Sequence, residues 1–106
     1  MTRTPTKKSA SAEIRTDRPA YYCYIVQCVD GSFYTGWSTD PQRREKCHNR
    51  GQGARYTRAR RPVTLVYVEP QPDRSTAMKR EARIKNMTRQ MKQKLIEQGQ
   101  GITKDA

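Results

Sequence analysis

YYCYIVQCVDGSFYTGW, residues 21–37, is the stretch on which the fold turns. Tyr21–Cys28 is dense in aromatic and β-branched residues, which suit a pleated, half-covered surface, so it reads as a strand. Asp30-Gly31 marks a turn, and Ser32–Trp37 is the returning strand. The length of the turn matters more than its presence. A two-residue Asp-Gly turn would set Tyr24 opposite Trp37 and send Tyr24 and Tyr34 to opposite faces. A three-residue loop, Val29-Asp30-Gly31 with Gly31 left-handed, sets Tyr24 opposite Gly36 and Val26 opposite Tyr34. Both phenols then share one face as diagonal neighbours, about 7–8 Å apart at Cα. In that register Gly36 leaves open space beside Tyr24 for a phosphate or a water to approach. Aromatic pairs across a hairpin are also ordinary sheet stabilisers, so the hairpin decides nothing about chemistry alone.

Outward from the hairpin, Asp40 is an N-cap with Pro41 at the first helical position, and the helix runs to about Arg50 before Gly51. GQGARYTRARRP, residues 51–62, reads as a basic, glycine-bearing loop. Val63–Glu69 is a third strand, apolar enough to be well covered. Asp73 or Ser75 caps a helix to about Asn86, and Thr88 caps another to about Gln98. The order is ββαβαα, an α/β (α+β) fold with a small, mostly antiparallel three-stranded sheet and flanking helices. With 106 residues there is room for one domain, residues 20–98. Residues 1–19 are polar and aperiodic and read as a disordered basic tail; residues 99–106 read as a flexible one. No run approaches the roughly 18 apolar residues of a membrane span, and the first 19 residues lack the apolar core of a secretory signal. A cytoplasmic protein is the expectation.

Twenty-two Lys and Arg against ten acids give a net charge of +12. Between Arg43 and Arg61 there are eight basic residues and one acid, Glu45. The plain reading is a solvated surface that aids solubility. Such a cluster repels itself unless an anion compensates it, and phosphate is the usual one. Arg43, Arg55, Arg58, Arg60 and Arg61 are the candidate nucleic-acid contacts, and Tyr56 offers a ring on which a base can stack. The three cysteines, Cys23, Cys28 and Cys47, are odd in number and read as reduced thiols. With His48 they form no CxxC or HxxxH spacing, so a zinc site is disfavoured.

Three further residues give the hairpin a chemical meaning. Arg44 follows Tyr34 by ten residues, and His48 lies one helical turn further along the same face. An arginine fork suits phosphate oxygens and stabilises charge that develops on them. In STAMKREARIKN, residues 75–86, Ala77, Glu81 and Ile84 follow helical spacing, so Glu81 falls on or beside the inward face. It is the only acid of that helix and needs a partner there, either an arginine or a metal ion. Mg²⁺ is commonly bound by one or two carboxylates with water and substrate phosphate, so one Glu suffices.

Tyr22-Cys23-Tyr24, Tyr34-Thr35-Gly36, Arg44, His48 and Glu81 together resemble the GIY-YIG endonuclease superfamily over about Tyr21 to Ile96. The pattern DGSFYTGWSTDPQRREKCHN, GARYTRARRPVTLVY and EARIK is similar to its small stand-alone bacterial branch. That branch is related to the catalytic subunit of eukaryotic branched-DNA structure-specific endonucleases. The resemblance implies hydrolysis of DNA phosphodiesters, in branched or damaged DNA during repair or recombination, with one Mg²⁺ or Mn²⁺. It implies Tyr24 or Tyr34 as the group that deprotonates water, with Tyr24 favoured for the space at Gly36. Arg44 would hold the scissile phosphate with help from His48, and Glu81 would anchor the metal. The chain departs from the family in carrying Tyr22 and Cys23 for its Gly and Ile. The family's Asn also has no counterpart at its spacing, Asn86 lying nearer to Glu81 and Gln93 close to the usual distance. A catalytically silent nucleic-acid-binding module is the alternative. RNA binding, a protein partner and oligomeric state are left open.

Overall fold

The computed structural model describes residues 20–99; the two expected tails, apart from Gly99, lie outside them. The elements are β1 (Tyr21–Gln27), β2 (Phe33–Ser38), α1 (Pro41–Asn49), α2 (Arg55–Arg58), β3 (Thr64–Gln71), α3 (Arg74–Lys85) and α4 (Arg89–Gln98). One antiparallel sheet has the order β2-β1-β3, so β1 is central and β2 is an edge. The expected ββαβαα order holds, with one addition: the basic loop contains the single turn of helix α2.

The hairpin takes the odd-length register. Tyr24 faces Gly36 and Val26 faces Tyr34. The Cys28 N–H donates to Ser32 O at 2.8 Å and the Gly31 N–H to Cys28 O at 2.9 Å, closing a loop of Val29, Asp30 and Gly31. Gly31 has φ +88°, where a side chain would be strained. Asp30 tightens the turn by accepting from both the N–H and the hydroxyl of Ser32.

Alternation along β1 divides the molecule into two layers. Tyr24, Val26 and Cys28 pack with Val63, Leu65 and Val68, with Tyr22 and Tyr34 beside them. Cys23 and Ile25 face the other way, against Tyr67, Ala77 and Ile84. His48 is buried, and its ring faces Tyr24 and Tyr34, so α1 covers the first face. α3 covers the second, with Leu95 and Ile96 of α4 at its margin. The caps are those expected: Asp40 accepts from Arg43 N, Asp73 from Thr76 N, and Thr88 from Met91 N.

Polar groups of α1 also reach the sheet. The pairing of β1 with β3 skips a residue between Ile25 and Val26, leaving Val66 as the extra residue. At that bulge the Leu65 N–H donates to Glu45 Oε2 at 2.7 Å. The Asn49 amide pairs with Val63 in both directions, at 2.9 and 2.7 Å. At the far end Gly99 lies against the Tyr67 ring, where a Cβ would come within 2.7 Å.

Candidate active site

The site forms around Tyr24. Its hydroxyl lies 3.0 Å from His48 Nε2, and the ring is only 1 % exposed. Gly36 has no Cβ, and the space this leaves is filled by the phenol itself: a Cβ there would come within 2.6 Å of the Tyr24 hydroxyl oxygen. This corrects the expectation of an open approach at Gly36. The glycine lets the Tyr24 ring lie against β2, which aims its hydroxyl at α1.

Burial pushes the Tyr24 phenol up from 10.0 to about 12, although the neighbouring Arg44 guanidinium pulls the other way. The charges of Tyr34 and Glu81 add to the rise. His48, fully buried, is held below its ordinary value, first by burial and then by Arg44. The pair is therefore a neutral phenol beside a neutral imidazole at pH 7. Nδ1 of the same ring is 2.8 Å from the Thr57 hydroxyl, which donates to Ala54 O at 2.9 Å.

Tyr34 shares this face, as the odd register requires. Half-buried, it meets His48 edge-on at 5.4 Å between ring centroids and stacks on Tyr56 at 6.1 Å. Arg60 lies over the Tyr56 ring at 3.9 Å, and Lys85 reaches from α3 to within 5.7 Å of the Tyr34 ring. Lys85 also bridges Glu81 at 3.6 Å. Glu81 thus comes from the opposite layer, and Lys85 connects it across the free edge of β2 to the tyrosine face. Its carboxylate is 21 % exposed, with this lysine as its ion-pair partner.

Beside Arg44 a groove of about 660 Å³ runs along α1, its lining including Arg43, Arg44, Arg50, Cys47 and Gln52 and, at the helix N-terminus, the capping Asp40. Arg44 Nη1 donates to Cys47 Sγ at 3.5 Å. Of the other basic candidates, Arg55 and Arg58 are exposed on α2. Arg60 is tied to Asp30 at 3.2 Å and to Tyr56 O at 2.8 Å, and Arg61 bonds Arg58 O and Asn49 O. The cysteines are free and lie apart, Cys23 under α3, Cys28 in the opposite layer and Cys47 in the groove. Among the described residues no three of His, Cys, Asp and Glu gather as a metal cluster. Lys85, Arg50 and Thr57 were not singled out by the sequence reading. The i, i+4 spacing of Glu81 and Lys85 was the one local signal for any of them.

A model of the GIY-YIG catalytic domain matches residues 20–94. The chain belongs to the GIY-YIG family. It is 52 % identical over 82 residues to a UPF0213 protein of Haloquadratum walsbyi, covering 77 % of this chain and 92 % of that one. A UPF0213 protein of Staphylococcus aureus is 53 % identical over 79 residues, with 74 % and 96 % covered. Among solved structures, the chain is similar to the UPF0213 protein BH0048 from Bacillus halodurans, with 43 % identity and TM-score 0.50 over 77 % of this chain and 87 % of that one. The protein EF2693 from E. faecalis gives 40 % and 0.53, over 77 % and 88 %. As a GIY-YIG member the chain falls in a nuclease family whose substrates are nucleic acids and whose enzymes are generally dependent on divalent metals. No helix among the described residues is long and apolar enough to cross a membrane.

Proposed function

We propose that this GIY-YIG protein is a divalent-metal-dependent endonuclease that hydrolyses DNA phosphodiesters, with branched or damaged DNA in repair or recombination as its substrates. The observation that carries the reading is the buried bond between the Tyr24 hydroxyl and His48 Nε2, beside the Arg44 guanidinium. Any buried tyrosine hydroxyl needs one hydrogen-bond partner; meeting both an imidazole and a guanidinium at one oxygen is more than packing alone requires, and supports a proton-transfer role.

The chemistry follows from the raised phenol. At about 12 Tyr24 is not a resident phenolate at neutral pH, so it acts as a relay. Because the Tyr24 oxygen is buried, the step requires substrate binding to admit water to it; that water gives a proton to the Tyr24 oxygen as Tyr24 passes its own to His48 Nε2. The hydroxide bonds to phosphorus as the bond to the leaving oxygen breaks, and that oxygen departs with the electron pair. Arg44 neutralises the charge that grows on the non-bridging oxygens. The proton on His48 then stands beside Arg44, which favours its release. Tyr34, edge-on to His48, forms the wall of the site and shares the face the substrate enters.

Glu81 fits Mg²⁺ or Mn²⁺ by its chemistry: one partly exposed carboxylate, whose ion-pair partner among the described residues is Lys85 at 3.6 Å, leaves positions to water and phosphate. When bound, the ion supplies Lewis-acid stabilisation of the phosphate charge. Arg43, Arg55, Arg58 and Arg61, exposed, and the partly buried Arg60 supply the surrounding positive surface, with the exposed Tyr56 ring among them.

The burial of Tyr24 favours a second reading, a nucleic-acid-binding module without catalysis. Flap, junction and linear DNA incubated with Mg²⁺ or Mn²⁺ separate the two. Cleavage by the native protein that is lost in Glu81→Ala and Tyr24→Phe is the expected result. Cleavage that survives Glu81→Ala would indicate a contaminating nuclease, and binding without cleavage would favour the module.

A further inference from the structure

We infer that Thr57 is a positioning residue that fixes the tautomer of His48, so that Nε2 is the bare nitrogen aimed at the Tyr24 hydroxyl; its catalytic consequence rests on the nuclease reading above.

The inference runs along the hydrogen bonds from both ends. Thr57 has one hydroxyl proton, and Ala54 O at 2.9 Å, which also accepts from the Arg58 N–H, is a carbonyl that can only receive it; the proton is assigned there. With the proton so assigned, the same oxygen presents only lone pairs toward His48 Nδ1, 2.8 Å away, and Nδ1 is the nitrogen that carries the proton. At the other end the Tyr24 hydroxyl needs an acceptor. Arg44 has none to offer, and His48 Nε2 at 3.0 Å is the nitrogen within reach. Were Nε2 protonated, the buried Tyr24 oxygen would face two donors, with its own proton unsatisfied. The Ala54 N–H points at Nδ1 as a donor and by itself favours a bare Nδ1; at 3.4 Å it is the longest of these contacts, and against it stands the buried Tyr24 hydroxyl proton, for which His48 Nε2 is the acceptor within reach.

The segment leading into α2 is shaped to hold this arrangement. Thr57 and His48 are both fully buried, and a Cβ on Gly53 would overlap His48 Nδ1, so the backbone closes directly on the ring. The groups facing His48 are Tyr24 from β1, Tyr34 from β2, Arg44 from its own helix and, from the α2 segment, only the uncharged Gly53, Ala54 and Thr57. Among the described residues no carboxylate faces Nδ1 to fix the proton there, and the task falls to the threonine hydroxyl. For metal-bound histidines, groups that orient the imidazole through its second nitrogen typically matter by about 10–100-fold, and the same scale is expected for Thr57.

His48 is the single histidine of the chain, so its two ring nitrogens are identified without ambiguity in a long-range ¹H–¹⁵N correlation spectrum. In the native protein at pH 8 the expected spectrum has a pyrrole-type Nδ1 and a pyridine-type Nε2. Thr57→Val should mix the tautomers, lower kcat for DNA cleavage by about 10–100-fold with little change in KM, and displace the acid limb of the pH–rate profile. Thr57→Ser, which keeps the hydroxyl, should restore both spectrum and rate. A native spectrum with the proton on Nε2 overturns the inference, as does a folded Thr57→Val protein with unchanged tautomer and rate. If Thr57→Val does not fold, the native spectrum and the Thr57→Ser rate still decide. The expected tautomer in a protein that cleaves no DNA would uphold the positioning by Thr57 and overturn the nuclease reading alone.

Discussion

Tyr24 shows at one residue how burial can change what a side chain does. A solvated phenol placed to bind water would act by its own ionisation; here burial raises it to about 12 and the imidazole beside it supplies the acceptor. The consequence for stability has a definite sign. The folded state holds the Tyr24 proton more tightly than the unfolded chain, so its contribution is complete below pH 10 and is lost as pH rises from 10 toward 12. Tyr67, buried and bonded to Glu69 at 3.0 Å, is also raised to about 12 and adds to the same loss. Titration of phenolate absorbance should therefore show a late component from these two residues, and Tyr24→Phe should remove part of it. An unchanged late component in Tyr24→Phe would contradict the burial of that hydroxyl. His48 acts at the other end of the scale: held below its ordinary 6.5, it contributes fully above that pH and loses stability on acidification, as the unfolded chain takes up the proton first.

Among the elements, β2 and α1 set the site, and each makes a demand that composition does not reveal. Gly36 sits where the Tyr24 ring crosses β2, so Gly36→Ala forces a Cβ to within 2.6 Å of the hydroxyl oxygen. Overpacking of this kind costs about 1–3 kcal/mol. The expected outcome is a lower melting temperature with a fall in kcat of at least about tenfold, because any relief of the clash moves the oxygen off His48. Retained kcat would show that the Tyr24–His48 bond is dispensable. On α1, Glu45 bonds the Leu65 N–H at the Val66 bulge. Glu45→Ala should cost about 1–3 kcal/mol, read as a lower urea midpoint with an unchanged slope. Strand and helix limits were legible in the sequence because their signals are local: the odd loop ending on Gly31, the caps at Asp40, Asp73 and Thr88, and the spacing of Ala77 and Ile84. The expected space at Gly36 was misread because side-chain direction across a strand pair depends on the partner that receives it, here His48 from another element. Glu45 looked like a stray acid in a basic run, and Thr57 like part of a loop, because their partners lie 20 and 9 residues away.

The whole molecule carries +12, but its positive charges divide by what already holds them. Arg43 and Arg50 line the groove beside Arg44 and are exposed at its walls, with Arg50 Nε donating to the exposed Gln52 side chain of the same groove at 3.2 Å. Arg60 and Arg61 are spent within the fold, the first on Asp30 and Tyr56, the second on the carbonyls of Arg58 and Asn49. A count of basic residues between Arg43 and Arg61 treats them alike, whereas their effects on binding and on stability should separate. DNA binding measured in EDTA, where the metal is absent, should weaken steeply with salt, as counterions released from each neutralised phosphate oppose it. Arg43→Ala and Arg50→Ala should each reduce the salt slope by about 0.9 while leaving the melting temperature nearly unchanged. Arg61→Ala should do the reverse, lowering the melting temperature through the lost staple between α1 and α2 with a smaller effect on the slope. Equal slopes for the native protein and the double variant Arg43→Ala/Arg50→Ala would remove the groove from the DNA path and move the contact surface to Arg55 and Arg58, exposed on α2.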